Sequence, residues 1–157
     1  MKILKNIGLS LLIVLVIAQF FGPEKNDGDM ATVAAFITET NPPEDVKKIL
    51  ETTCFDCHSA KTSYPWYNAI TPVNYYLQEH IKDGQKHLNF SKWDTYSLKK
   101  KEHKMDELYE EVAEGEMPLN SYTWTHSEAN LSPTQIAAVV TWGKKVQADY
   151  KQQLNTK

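Results

Sequence analysis

Two cysteines, three positions apart and followed at once by a histidine, limit this chain more than anything else in it. Cys54-Phe55-Asp56-Cys57-His58 uses both cysteines of the 157 residues. A disulfide-built scaffold is therefore excluded, and so is a four-cysteine zinc or iron–sulfur site. A dithiol redox centre of the C-x-x-C kind belongs in a βαβ setting, and no alternating strand pattern of useful length occurs here. A Cys2His2 zinc site needs a closely spaced second histidine pair, which His80, His87, His103 and His126 do not provide. C-x-x-C-H is also the attachment signature of c-type haem. On one helical turn the two sulfurs point to one side, where they can add to the two vinyl groups of a porphyrin. The neighbouring imidazole is then directed at the iron.

The N-terminus supplies a compartment. Lys2 and Lys5 precede an apolar run from Ile7 to Phe21, the pattern of an export signal. No small-residue cleavage pair follows it. From Ile3 to Gly22 the stretch would reach about 30 Å as a helix, so the sequence predicts an uncleaved transmembrane helix over residues 1–22. The alternative is a cleaved signal and a soluble periplasmic protein. The early lysines, with Glu24, Asp27 and Asp29 after the run, place the remainder on the periplasmic side of the inner membrane. Haem attachment of the c type belongs to that side.

The rest reads as helices. Residues 23–41, with Gly, Asp, Asn and Pro around one short apolar patch (Ala31 to Ile37), are expected to be a linker, with room for one helical turn in the patch, and 42–150 the domain. Pro42-Pro43-Glu44-Asp45 opens a helix that runs through Val46, Ile49 and Leu50 into Cys54. A second helix after Thr71-Pro72 aligns Val73, Tyr76, Leu77, His80 and Ile81 on one face. A third carries Leu98, Met105, Leu108, Tyr109 and Val112 and stops at Gly115. Ser132-Pro133-Thr134-Gln135 is a capping box opening the last helix. Residues 151–157 are expected to be a frayed polar tail. The expected class is all-α: a small helical domain, like that of a cytochrome c, around one covalently attached haem.

Beyond Cys54, Cys57 and His58, the leading candidate for a sixth iron ligand is Met117. It sits in Gly115-Glu116-Met117-Pro118, a polar loop in which simple core filling is out of place. His126 and His80 are alternatives, and an open site is another. Tyr64, Trp66 and Tyr67 line the haem edge or fill the core; Trp93, Trp124 and Trp142 are expected in the core. The run Lys99-Lys100-Lys101 with Lys104 is a solvated helix face or a docking patch for an acidic partner. With 17 lysines, no arginine and 20 acidic residues, nucleic acid is not an expected partner.

Taken together, these motifs resemble a known family. Cys54-Phe55-Asp56-Cys57-His58-Ser59, Tyr64-Pro65-Trp66-Tyr67, Pro72-Val73, His87-Leu88-Asn89-Phe90-Ser91-Lys92-Trp93, Gly115-Glu116-Met117-Pro118, Tyr122, His126 and Leu131 are similar to the haem-binding domain family of small exported monohaem proteins, related in plan to class I cytochromes c. The resemblance spans roughly Val46 to Trp142. It implies haem c on Cys54 and Cys57, His58 on the iron and Met117 as distal ligand. The expected function is a membrane-tethered electron carrier working with redox partner proteins, not an enzyme. The alternatives are a redox or gas sensor, a peroxidase-like subunit with an open or displaceable distal site, and an accessory subunit of a larger oxidoreductase.

Overall fold

The computed structural model describes residues 1–156, and the class is all-α as expected. Eight helices follow in order among the described residues: α1 (Lys2–Ala18), α2 (Ala34–Thr40), α3 (Glu44–Ile49), α4 (Phe55–His58), α5 (Val73–His87), α6 (Leu98–Glu114), α7 (Asn120–Thr123) and α8 (Pro133–Asn155). Short 3-10 turns join several of them. No strand forms among the described residues; Asp27 and Lys61 make one isolated bridge.

The antiparallel pair α6 and α8 is the largest interface. Met105, Leu108 and Val112 of α6 meet Val139, Trp142 and Val146 of α8, the stripes that 3.6-residue periodicity sets on each helix. The helices approach closely because α8 carries Gly143: a Cβ there would lie 2.9 Å from Tyr109 Cβ. Gly115 ends α6 in the left-handed conformation at φ 77°. The Ser132 capping box opens α8.

Three boundaries depart from the sequence reading. Residues 23–41 are not a linker. Met30–Val33 forms a 3-10 turn that leads into α2, and Phe36 is fully buried at the centre of the core. Its ring lies 4.4 Å from Phe90, 4.9 Å from Trp93 and 6.0 Å from Trp142, centroid to centroid. Polar ties hold the segment as well. The Trp142 indole donates to the Thr40 carbonyl at 3.1 Å, and Glu39 accepts from Lys101 Nζ at 2.7 Å and from the Tyr150 hydroxyl at 2.9 Å. One aromatic anchor, the aliphatic and thioether side chains of Val33, Ile37 and Met30 packed beside it, and a few polar bonds fix a stretch whose composition reads as a tether.

The tail is likewise ordered: α8 continues to Asn155, and only residue 157 of the expected 151–157 lies outside the described residues. The helix in place of the expected transmembrane helix over residues 1–22 is shorter than predicted. α1 has 17 residues, about 25 Å at ~1.5 Å per residue. No helix among the described residues is long and apolar enough to cross a membrane. Gln19, at the end of the helix, clasps the domain. Its Oε1 accepts from the Thr71 amide at 2.9 Å, and its Nε2 donates to the Thr71 carbonyl at 3.1 Å.

Three of the four lysines of the run are engaged within the chain. Lys100 Nζ stands 3.8 Å above the Tyr96 ring, Lys101 pairs with Glu39 and Lys104 with Glu107.

Candidate functional site

The C-x-x-C-H segment is the end of one continuous helical stretch. α3 widens into a π turn over Leu50–Cys54, where Phe55 N–H bonds back to the Leu50 carbonyl, and then tightens into α4. Leu50 and Thr53 face inward, so the wide turn seats the stretch on the core and swings the motif to its edge. Cys54 packs against the core cluster, while Cys57 opens onto a cleft; both are half-buried.

His58 closes α4. Its Nδ1–H donates to the Leu88 carbonyl at 3.0 Å. A carbonyl only accepts, so Nδ1 carries the proton and Nε2 keeps its lone pair. Burial pulls the imidazole below its ordinary range, opposed by the Leu88 and Gly84 carbonyls and reinforced by nearby His87. The ring is a neutral, oriented nitrogen donor, the form in which histidine binds metals. Leu88 is in place because α5 ends at His87 and the chain turns extended there.

Gly84 sets the distance between α5 and the motif. A Cβ at this position would stand 2.9 Å from the Cys57 carbonyl oxygen and 3.1 Å from Cys57 Cβ. Gly84→Ala is expected to push α5 off α4 and loosen the Leu88–His58 bond. Overpacking of ~1–3 kcal/mol outweighs the ~1 kcal/mol that alanine returns in helix propensity. A thermal melt should show a lower midpoint; an unchanged or raised midpoint would contradict this close approach.

The thiols are shifted the opposite way from those of a dithiol redox centre. Burial first, and the neighbouring Cys57 second, push Cys54 up to about 12. Burial and then Asp56 push Cys57 up to about 11. A redox cysteine has its pKa depressed instead, so that thiolate is present at neutral pH.

Asp56 braces the site, a role with no signal in the motif. Its Oδ1 accepts from the Ser63 amide at 3.0 Å and its Oδ2 from the Tyr122 hydroxyl at 2.9 Å. Burial, then Asp56 itself, hold the Tyr122 phenol well above its ordinary range, so it stays a donor. Asn26 braces the other side, donating to the Ser59 carbonyl at 3.0 Å and to Thr62 Oγ1 at 2.9 Å, while Gln85 bonds to both Asn26 and Ser59. The sequence held no cue to Asn26 or Gln85; Leu88 stands within the His87–Trp93 run, but nothing there marks its carbonyl as the partner of His58, and Gly84, a glycine inside a helical run, was a cue passed over.

Beside Cys57 lies a largely apolar cleft. Four of the five residues of the predicted stripe of the second helix face it: Tyr76, Leu77, His80 and Ile81 form one wall, Val73 does not line it, and the inward residues of α5 are Asn74, Gln78 and Ile81. Tyr64 and Tyr67 form a second wall, Leu119, Tyr122 and His126 a third. Two expectations are corrected here. Trp66 neither lines the cleft nor enters the core, and Trp124 is exposed; Trp93 and Trp142 are buried as expected. The backbone Tyr76 carbonyl lies 2.9 Å from His80 Nδ1, and the Tyr122 carbonyl 3.1 Å from His126 Nδ1. His126 also stacks on Tyr122, centroids 4.1 Å apart. Met117 is not a wall of the cleft. It is partly buried against the same core cluster as Cys54, its amide donating to the Glu111 carbonyl at 3.1 Å.

Two protonated thiols, a free imidazole lone pair and an apolar, aromatic cleft fit one kind of group: a flat apolar cofactor with a metal at its centre. The family comparison decides which. Residues 13–145 match the haem-binding domain family. The chain belongs to that family. No curated protein and no solved structure matches it. The haem-binding domain thus takes in the motif, the cleft, the Met117 loop and most of α8, and begins within α1 rather than after it.

Proposed function

We propose that this haem-binding domain is a monohaem c-type cytochrome, exported to the periplasmic side of the inner membrane, attached there through its N-terminal segment, and used to carry electrons rather than to catalyse a reaction. Cys54 and Cys57 hold the cofactor through thioethers, and His58 Nε2 is the proximal ligand. Haem in this setting supplies a one-electron ferric/ferrous couple. The observation that carries the reading is the Nδ1–H bond from His58 to the Leu88 carbonyl, which fixes the tautomer and leaves Nε2 for the iron. Met117 supplies the distal thioether, a soft ligand that favours ferrous iron. The exchange is with redox partner proteins. The aromatic walls and the braces at Asp56 and Asn26 keep water and movement out of the site.

A second reading is favoured by one observation: His80 and His126 share the cleft with Cys57, and Met117 does not line it. An imidazole there would either take the distal position or leave it displaceable, as a sensor or a peroxidase-like subunit requires. Ligand variants separate the two. With Met117 bound, the ferric protein shows the long-wavelength charge-transfer band of sulfur-to-iron ligation. Met117→Ala is expected to abolish it, and His126→Ala to leave it intact. A wild-type protein without that band, or one that binds carbon monoxide readily when reduced, would move the assignment to the second reading.

A further inference from the structure

Outside residues 1–21, the large hydrophobic side chains left most exposed are Trp66, Ile70, Tyr75, Tyr76, Leu119 and Trp124. All six fall in two stretches, 62–78 and 117–127, that contain no Asp, Glu or Lys, in a chain that is 24% charged. Tyr76 and Leu119 line the cleft and would be covered by what it holds. The other four do not line it, yet Trp66 is 80% exposed, Trp124 85%, Tyr75 48% and Ile70 43%. The stretches adjoin, because the Tyr67 hydroxyl lies 2.8 Å from Thr125 Oγ1. This uncharged aromatic face is continuous with α1, none of whose residues is buried. Gln19 clasps Thr71, the Thr71 hydroxyl donates to the Phe21 carbonyl at 3.2 Å, and Gly22 abuts Asn74.

We propose that this face, with Phe20 and Phe21, is a membrane-resting surface that seats the domain on the bilayer at the headgroup level. Three features point to lipid rather than to a protein. Tryptophan and tyrosine are the residues that prefer the membrane interface. The face is free of charge over both stretches, whereas a docking site for a soluble redox partner is steered by charge. And α1 is about 5 Å short of the ~30 Å hydrocarbon layer while its end is clasped to Thr71, so it reaches deep into a bilayer only if the domain comes down with it. The proposal rests on the membrane attachment proposed above.

The test uses the full haem-loaded chain in phosphatidylethanolamine–phosphatidylglycerol vesicles doped with a phosphatidylcholine that carries a diazirine on a shallow acyl carbon. After irradiation and digestion, adducts are mapped by mass spectrometry. Adducts are expected on 1–21 and on the peptides bearing Trp66–Tyr75 and Trp124. Adducts confined to 1–21 would overturn the proposal and leave the face to a protein partner, with membrane attachment intact. No adducts anywhere would remove membrane attachment and the proposal together. Ile70→Asp, at an exposed position, should reduce the Trp66 and Trp124 adducts to the level of the α6 peptide bearing Lys99. It should spare those on 1–21 and leave the haem spectrum unchanged. Undiminished domain adducts in this variant would mark them as non-specific and overturn the proposal.

Discussion

Replacing Cys54 and Cys57 together by alanine is expected to convert a chain that keeps its haem through a denaturing gel into one that loses all of it to acidified acetone. The argument is one of bond type. His58 offers the iron a coordinate bond through Nε2, and such a bond breaks when acid protonates the imidazole. Only the two sulfurs can form links that survive both acid and unfolding. Either single variant should keep haem through the remaining thioether, so the loss appears in full only in the double variant. The fold gives a control: α6 and α8 supply the main interface without either cysteine, so the double variant should retain a helical far-ultraviolet spectrum. Pigment resisting extraction from the double variant would refute thioether attachment. A redox dithiol is a poor substitute explanation, since the thiols stand at about 12 and about 11 rather than below the ordinary range.

The second large effect is expected far from the motif. Phe36→Ala removes a fully buried ring that touches Phe90, Trp93 and Trp142. A Phe→Ala cavity costs about 3–5 kcal/mol, a large share of the ~5–15 kcal/mol that holds a typical domain together. Chemical denaturation should show a much lower midpoint, or a chain already unfolded in part at room temperature. A shift equivalent to less than about 1 kcal/mol, the scale of an ordinary surface or single-residue change, would mean that residues 23–41 are the loose linker their composition suggests.

That contrast explains what could be read in advance. Local signals with a strict geometry were legible: the cysteine–histidine spacing, the stop at Gly115, the capping box at Ser132, and the stripes Met105–Leu108–Val112 and Val139–Val146. The stripe of α5 was legible as a stripe but not as to its destination, because periodicity does not tell a core wall from a cleft wall. α2 was legible only as one helical turn within a tether, because its place depends on Phe36, with Val33 and Ile37 beside it, meeting partners far along the chain. Trp124 was misplaced for the opposite reason: tryptophan is usually buried, and nothing local shows that its loop turns outward. At the site, the sulfur and imidazole donors were visible in the motif, while the carbonyl that orients His58 belongs to the backbone of Leu88 and leaves no mark in the sequence.

The bond between the Trp142 indole and the Thr40 carbonyl spans 102 positions, and this separation sets an order of events. Synthesis delivers the N-terminal part first, so α2 exists well before α8 can reach it, and contacts this distant are slow to form. Until the last helix arrives, Phe36 lacks one of its aromatic neighbours, Trp142. Closure of the aromatic cluster around Phe36 is therefore a late event that waits for the C-terminal helix. A truncation ahead of α8 would leave that cluster without its last wall and the Thr40 carbonyl without its indole donor.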